Sequence, residues 1–202
     1  MRIGIFGGSF DPVHEGHLLL AREAYSELGL DKVYFVPLSQ NPLEDKERLL
    51  PDAERIRLLK AAIKCYPGFF ISLCEIQRKG PSFTVDTLKY FKKKFGKSAT
   101  LYFLCGADVL PGLERWRSVD ELFKLCRFVV MSRPGYRLVN TKRPILRLPF
   151  TALDISSTEV RRRLKRGQAL RDLLSRKTES LMKTYFKQNN GGLKSNRIKR
   201  LI

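Results

Sequence analysis

Arg2-Ile3-Gly4-Ile5-Phe6-Gly7-Gly8-Ser9-Phe10-Asp11-Pro12-Val13-His14-Glu15-Gly16-His17 follows Met1, and its reading decides the fold. Residues 2–6 are a short apolar run, which predicts a buried strand. Gly7, Gly8, Ser9, Phe10, Asp11 and Pro12 then break the run as a loop. Beyond it Leu18, Ala21, Ala24, Tyr25 and Leu28 recur at three- and four-residue spacing ahead of Gly29, so a helix is predicted over residues 17–28. Glycines let backbone N–H groups approach an anion closely, and the start of the following helix adds partial positive charge. His14 and His17, the two histidines of the chain, lie three residues apart at that helix mouth. The turn is therefore read as a cradle for a polyphosphate.

The same alternation continues along the chain. Strands are predicted at residues 32–37, 69–73, 100–105 and 127–131, and helices at residues 51–63, 83–95 and 118–125. Gly80-Pro81-Ser82, Gly106-Ala107-Asp108 and Arg133-Pro134-Gly135 punctuate them. Strands that are apolar runs, each followed by a helix, predict an α/β fold: a parallel sheet covered by helices on both faces, with right-handed crossovers. In such sheets ligands bind at the carboxyl ends of the strands.

Composition sets the outer bounds. A chain of 202 residues is expected to form one compact domain, and 43% hydrophobic with 29% charged residues excludes a disordered or fibrous chain. No apolar run reaches the length of a membrane span, and the N-terminus turns to glycine before a signal sequence develops, so a cytoplasmic protein is expected. Cys65, Cys74, Cys105 and Cys126 have no CxxC spacing and apolar neighbours, and are read as reduced core thiols. The formal net charge is +19. From Val160 onward there are 14 basic against 2 acidic residues, leaving 25 against 18 in residues 1–159, so most of the excess is C-terminal. The division expected is a domain over residues 1–188 and a basic tail over 189–202.

The cradle is neither a Walker A loop, since no GK[ST] follows, nor a GxGxxG dinucleotide turn. A metal held by His14 and His17 lacks a third ligand, and no metal ligand is assigned among the side chains. Instead GGSFDPVHEGH resembles the GxFDPxHxGH signature of the HIGH-type nucleotidyltransferases. A second block, Ile155-Ser156-Ser157-Thr158-Glu159-Val160-Arg161, is similar to their ISSTxxR pattern. Physically it repeats the first device: Ser and Thr cap a helix whose N-terminus favours anions, and an arginine stands one turn in.

Within that superfamily the chain resembles the bacterial nicotinate-nucleotide adenylyltransferases over about residues 2–193. Gly80-Pro81-Ser82-Phe83-Thr84-Val85-Asp86-Thr87-Leu88 is similar to their GPSYTxDTL segment, and Gly106-Ala107-Asp108, Trp116 and Arg133-Pro134-Gly135-Tyr136 to their GxD…W…RPGY run. The resemblance implies a Rossmann-like nucleotidyltransferase fold with C-terminal helices. It also implies adenylyl transfer from ATP, with Mg²⁺, to nicotinic acid mononucleotide, giving deamido-NAD and pyrophosphate. His14, His17 and Arg161 would be catalytic; Gly7, Gly8, Ser9, Phe10, Asp11, Ile155, Ser156, Ser157 and Thr158 would bind ATP. Thr84, Gly106, Asp108, Trp116 and Arg133 would bind the nicotinate nucleotide. Asn41-Pro42-Leu43-Glu44-Asp45-Lys46 replaces the family's PPHK, which leaves the phosphate-binding role of Lys46 open, and Arg117 follows Trp116 where an aromatic is common.

Among neighbouring enzymes, phosphopantetheine transferases usually carry Thr at the position of His14, and cytidylyltransferases usually read RTxGISTT where this chain has Asp154-Ile155-Ser156-Ser157-Thr158. Nicotinamide mononucleotide remains the alternative acceptor. A helix beginning at Ser82-Phe83-Thr84 would favour the carboxylate of nicotinate over a neutral carboxamide. A nucleic-acid-binding reading draws only on charge, in Arg161-Arg162-Arg163, Lys165-Arg166 and the tail, and is set aside; no membrane partner is expected, and a homo-oligomer is compatible with the sequence.

Overall fold

The computed structural model describes residues 1–43, 48–131, 141–148 and 155–189. Its centre is a six-stranded sheet in which every neighbouring pair is parallel. The strands are β1 (Arg2–Gly8), β2 (Lys32–Pro37), β3 (Phe69–Ile71), β4 (Thr100–Gly106), β5 (Arg127–Met131) and β6 (Ile145–Leu148), in the order β3-β2-β1-β4-β5-β6. The direction of winding reverses between β1 and β4, so their carboxyl ends flank the crevice where such sheets bind ligands.

The helices are α1 (Glu15–Glu27), α2 (Asp52–Ile63), α3 (Cys74–Arg78), α4 (Thr84–Phe95), α5 (Val119–Leu125), α6 (Ser157–Lys165) and α7 (Arg176–Asn189), with a 3-10 helix at Ala107–Arg115. Two apolar layers follow from the pleat of β1. Phe6 faces a core with Phe10, Leu18, Leu58, Leu59, Val160 and Met182, which seats α1, α2, α6 and α7. Ile3 and Ile5 face the opposite core with Val85, Leu88, Phe91, Leu122 and Phe128, which seats α4 and α5. Helices on both faces explain why the strand sequences are apolar throughout.

The five strands and four helices expected from the pattern are present, with shifted ends. The third strand stops at Ile71 because Leu73 already caps α3. The first helix begins at Glu15, so His14 is its N-cap and His17 lies inside its first turn, not at its mouth. Strand β6 went unread: Ile145-Leu146-Arg147-Leu148 is a short run interrupted by Arg147, and as an edge strand its residues are half-buried or exposed. Helix α7 runs to Asn189, one residue into the stretch read as a tail; residues 190–202 lie outside the described part. Cys74 and Cys105 are buried and Cys126 half-buried, but Cys65 is exposed, which corrects its reading as a core thiol. Among the described residues no helix is long and apolar enough to cross a membrane.

Candidate active site

Strand β1 delivers the chain to the crevice at Gly8, and the turn is built around Phe10. Phe10 takes a positive φ of 46° and buries its ring completely, edge-on to Phe6 at 5.4 Å and to His17 at 5.1 Å. A Cβ on Gly8 would lie 3.1 Å from that ring. Glycine at position 8 thus lets the turn fold back over its own side chain.

His14 is 3% exposed, and its ring stacks on His17 with centroids 3.6 Å apart. The backbone N–H of His14 donates to Nδ1 of His17 at 3.2 Å. Because Nδ1 accepts, the neutral ring carries its proton on Nε2, which makes that atom the donor. Gly16 holds the packing open: a Cβ there would stand 3.1 Å from Nδ1 of His14 and 3.5 Å from the carbonyl of Ile155.

The second block closes onto the first across about three-quarters of the chain. Ser156 caps α6, its Oγ accepting from the N–H of Glu159 at 3.1 Å. Ser157 Oγ donates to the carbonyl of Pro12 at 3.0 Å, and Arg161 donates from Nη1 to the carbonyl of Asp11 at 2.8 Å and from Nη2 to Thr158 Oγ1 at 2.9 Å. Among the described residues two of the five guanidinium N–H bonds of Arg161 are taken, which leaves three for an anion. Ile155 is buried, and its carbonyl lies against Gly16. Gly7, Gly8, Ser9, Phe10, Ile155, Ser156, Ser157, Thr158 and Arg161 are thus gathered around one helix start, with His14 and His17 in it.

Asp11 stands apart from the role expected of it. Asp11 is 5% exposed, and its carboxylate accepts from the N–H of Leu49 at 2.8 Å and of Leu50 at 3.0 Å, so it braces the segment ahead of α2. The two amide N–H groups partly offset its charge.

On the other side of β1 the segments after β2 and before α4 join. Ser39 N–H donates to Ser82 Oγ and Ser82 N–H to the carbonyl of Gln40, both at 2.8 Å. This brings the start of α4, with Thr84 as its first residue, to the strand ends. Glu75 is buried behind that start and accepts from Thr87 Oγ1 at 2.6 Å. Burial pushes its carboxyl above the usual range, while hydrogen bonds from Thr87 and Ser82 and the charge of Arg78 oppose the shift. The Arg117 guanidinium stands 4.6 Å over the Phe83 ring and 3.8 Å from Asp86.

Gly106 ends β4, Asp108 is exposed in the 3-10 helix, and half-buried Trp116 leans on Phe103 and Phe128 at 5.8 and 6.0 Å. Arg133 and Lys46 lie outside the described residues. Among the described residues no three His, Cys, Asp or Glu side chains come together as a metal cage. Burial raises the Cys105 thiol well above its ordinary range and that of Cys126 to about 12, which leaves both neutral and poor nucleophiles.

One participant was missed. Arg55 of α2 is wholly buried and reaches the turn from below, donating to the carbonyls of Ser9 and Leu38. Its only signal in the sequence is an arginine on the same helical stripe as Leu58, Leu59 and Ala62.

Comparison with known proteins agrees with this arrangement. A family model described as cytidylyltransferase-like matches residues 5–163. The nicotinate-nucleotide adenylyltransferase of Bacillus subtilis is 40% identical over 164 residues, covering 81% of this chain and 86% of the relative. A probable nicotinate-nucleotide adenylyltransferase of Clostridium tetani is 36% identical over 192 residues, covering 90% and 96%. In fold the chain is similar to Plasmodium falciparum nicotinic acid mononucleotide adenylyltransferase complexed with NaAD, with a TM-score of 0.76 at 20% identity, covering 92% of this chain and 96% of that one.

Proposed function

The chain belongs to the cytidylyltransferase-like family and, within it, to the nicotinate-nucleotide adenylyltransferases, and from that membership we propose that it transfers the adenylyl group of ATP to nicotinic acid mononucleotide. The products are deamido-NAD and pyrophosphate. The observation that carries the site assignment is the meeting of the two phosphate-binding blocks, through Ser157 on the Pro12 carbonyl and Arg161 on the Asp11 carbonyl.

The chemistry needs little from the protein beyond placement. The attacking group is the phosphate of the mononucleotide, whose second pKa is near ~6, so it is already an anion at neutral pH and no general base is assigned. One of its oxygens bonds to the α-phosphorus of ATP as the bond to the bridging oxygen breaks and pyrophosphate leaves. Two anions must be brought into line, so catalysis comes from orientation and charge neutralisation. His17 supplies Nε2–H, Arg161 its remaining guanidinium donors, and the turn its backbone amides, while His14 fixes the plane of His17. Helices α1 and α6 both aim their N-termini at this spot. Mg²⁺ bound to the ATP phosphates would supply further charge neutralisation; among the described residues no three His, Cys, Asp or Glu side chains come together to hold it.

The nicotinate nucleotide is placed between the start of α4 and the 3-10 helix, with Thr84 and the α4 N-terminus toward the ring carboxylate and Trp116 against the ring. Gly106, Asp108 and Arg133 are assigned to the same nucleotide. The division into a domain of residues 1–188 and a basic tail, and a cytoplasmic location, complete the proposal. Pyrophosphate release from ATP, measured with nicotinic acid mononucleotide and with nicotinamide mononucleotide in separate reactions, tests it. Release with the acid at a kcat/KM at least about tenfold above the amide is expected. No release with either defeats the activity, and equal values defeat the acid preference.

A further inference from the structure

Arg55 is the largest fully buried side chain among the described residues, and nothing in the mechanism above uses it. It projects from the face of α2 that otherwise buries Leu58, Leu59 and Ala62. A guanidinium is expensive to bury, and a well-packed apolar side chain in its place commonly leaves a fold as stable or more so. Packing alone therefore gives no reason for an arginine here.

Its contacts supply one. Nη1 donates to the carbonyl of Ser9, and Nη2 to the carbonyl of Leu38 at 2.8 Å and to Asp52 Oδ1 at 2.6 Å. Nε is buried with no partner among the described residues. Leu38 in turn donates its N–H to the carbonyl of Gly8 at 3.0 Å, so one guanidinium grips both sides of the join between the phosphate turn and the end of β2. In a trans peptide the C=O of one residue and the N–H of the next point in opposite directions. With the Ser9 carbonyl drawn inward onto Arg55, the N–H of Phe10 points the other way, away from Arg55. Among the described residues no acceptor meets that N–H.

Building on the adenylyl-transfer reading, we propose that Arg55 is a positioning residue for the triphosphate: it holds the Ser9–Phe10 peptide so that the Phe10 N–H faces the bound nucleotide. Arg55 touches no substrate. It acts by fixing a donor that would otherwise be free to rotate its carbonyl toward the phosphates.

The test compares Arg55→Met and Arg55→Lys with the wild-type protein, titrating each with α,β-methylene-ATP and, separately, with adenosine, alongside steady-state turnover. A hydrogen bond to a charged group is worth about ten- to a hundredfold in affinity, so Arg55→Met should weaken the triphosphate analogue by at least about tenfold and leave adenosine within about twofold. kcat should fall about ten- to a hundredfold, with KM for the mononucleotide nearly unchanged. Arg55→Lys, which keeps the charge and can reach a carbonyl but lacks the planar fork, should recover part of the loss. Were Arg55→Met not to fold, the analogue-to-adenosine ratio in Arg55→Lys decides alone. An unchanged ratio, or equal weakening of both ligands as in a loosened fold, overturns the proposal. Wild-type protein that binds the analogue yet releases no pyrophosphate would defeat the functional reading and leave Arg55 to be judged on the ratio.

Discussion

Replacing His17 by glutamine and by alanine separates its structural work from its chemical work. His17 does two structural things: Nδ1 accepts the N–H of His14 at 3.2 Å, and the ring packs on His14 at 3.6 Å and Phe10 at 5.1 Å. Glutamine at the third helical position can take over the first, because its side-chain oxygen reaches back to the N-cap amide. It cannot replace the ring contacts, worth about 1 kcal/mol. His17→Gln should therefore lower stability by about 1 kcal/mol, or roughly 2–4 °C in a domain of this size. His17→Ala also orphans the cap amide and should lose about 1 kcal/mol more. In the reaction they should differ. His17→Ala removes the Nε2–H donor, and loss of one preorganised donor lowers kcat by about 10²–10³ with little change in KM, whereas His17→Gln keeps an amide N–H beside its cap-accepting oxygen and should retain part of the turnover. Thermal unfolding and pyrophosphate release at saturating substrates give both quantities. Turnover of His17→Ala within about threefold of wild type would refute the donor assignment, because the donor would have been removed and nothing lost.

Gly16→Ala places a Cβ 3.1 Å from His14 Nδ1, so the ring must shift by a few tenths of an ångström. Alanine is the better helix former by about 1 kcal/mol, so turnover should fall about tenfold while the unfolding temperature holds or rises; parallel losses in both would refute this. Ser157→Ala removes the donor to the Pro12 carbonyl, and should cost about 1 kcal/mol of stability and weaken α,β-methylene-ATP severalfold, with unchanged affinity in a titration speaking against the clamp. Glu75 has a folded-state pKa raised above its ordinary value, so its contribution is fully present below that ordinary value and is lost as pH rises through the folded one. Glu75→Gln removes this titration, so as pH rises above the ordinary carboxyl value the unfolding midpoint of wild type should fall relative to the variant; curves that stay parallel would contradict the raised pKa.

The strand, turn and helix at the N-terminus were legible because each follows from local pattern: an apolar run, glycines, then a 3.6-residue period. The cap at Ser156 was legible for the same reason, since an N-cap serine satisfies an amide three residues on. Strand β6 was not, because it is a four-residue run, Ile145-Leu146-Arg147-Leu148, interrupted by an arginine and held at the edge by pairing with β5 alone. The functions of Asp11 and Arg55 were hidden by distance in the chain. Asp11 looked like a ligand-facing residue of a phosphate loop, yet its partners are amides 38 and 39 residues away. Arg55 drew no reading from its local pattern, yet it donates to a carbonyl 46 residues back.

These hidden contacts share one physical purpose. A turn offers carbonyls as well as amides, and a carbonyl facing a triphosphate would repel it as surely as an amide attracts it. In the turn between β1 and α1 the carbonyls of Ser9, Asp11 and Pro12 are each taken by a donor from elsewhere: Arg55 in α2, Arg161 and Ser157 in α6. Glycine and a helix start make amides available to an anion, but they do not decide which way the neighbouring carbonyls turn. That decision is made by side chains 46, 150 and 145 residues away, which is why the motif alone reads as a cradle while the atoms that keep it electropositive lie outside it. The second block is then more than a second set of phosphate ligands. By occupying two carbonyls of the first, it sets the polarity of the surface that both present.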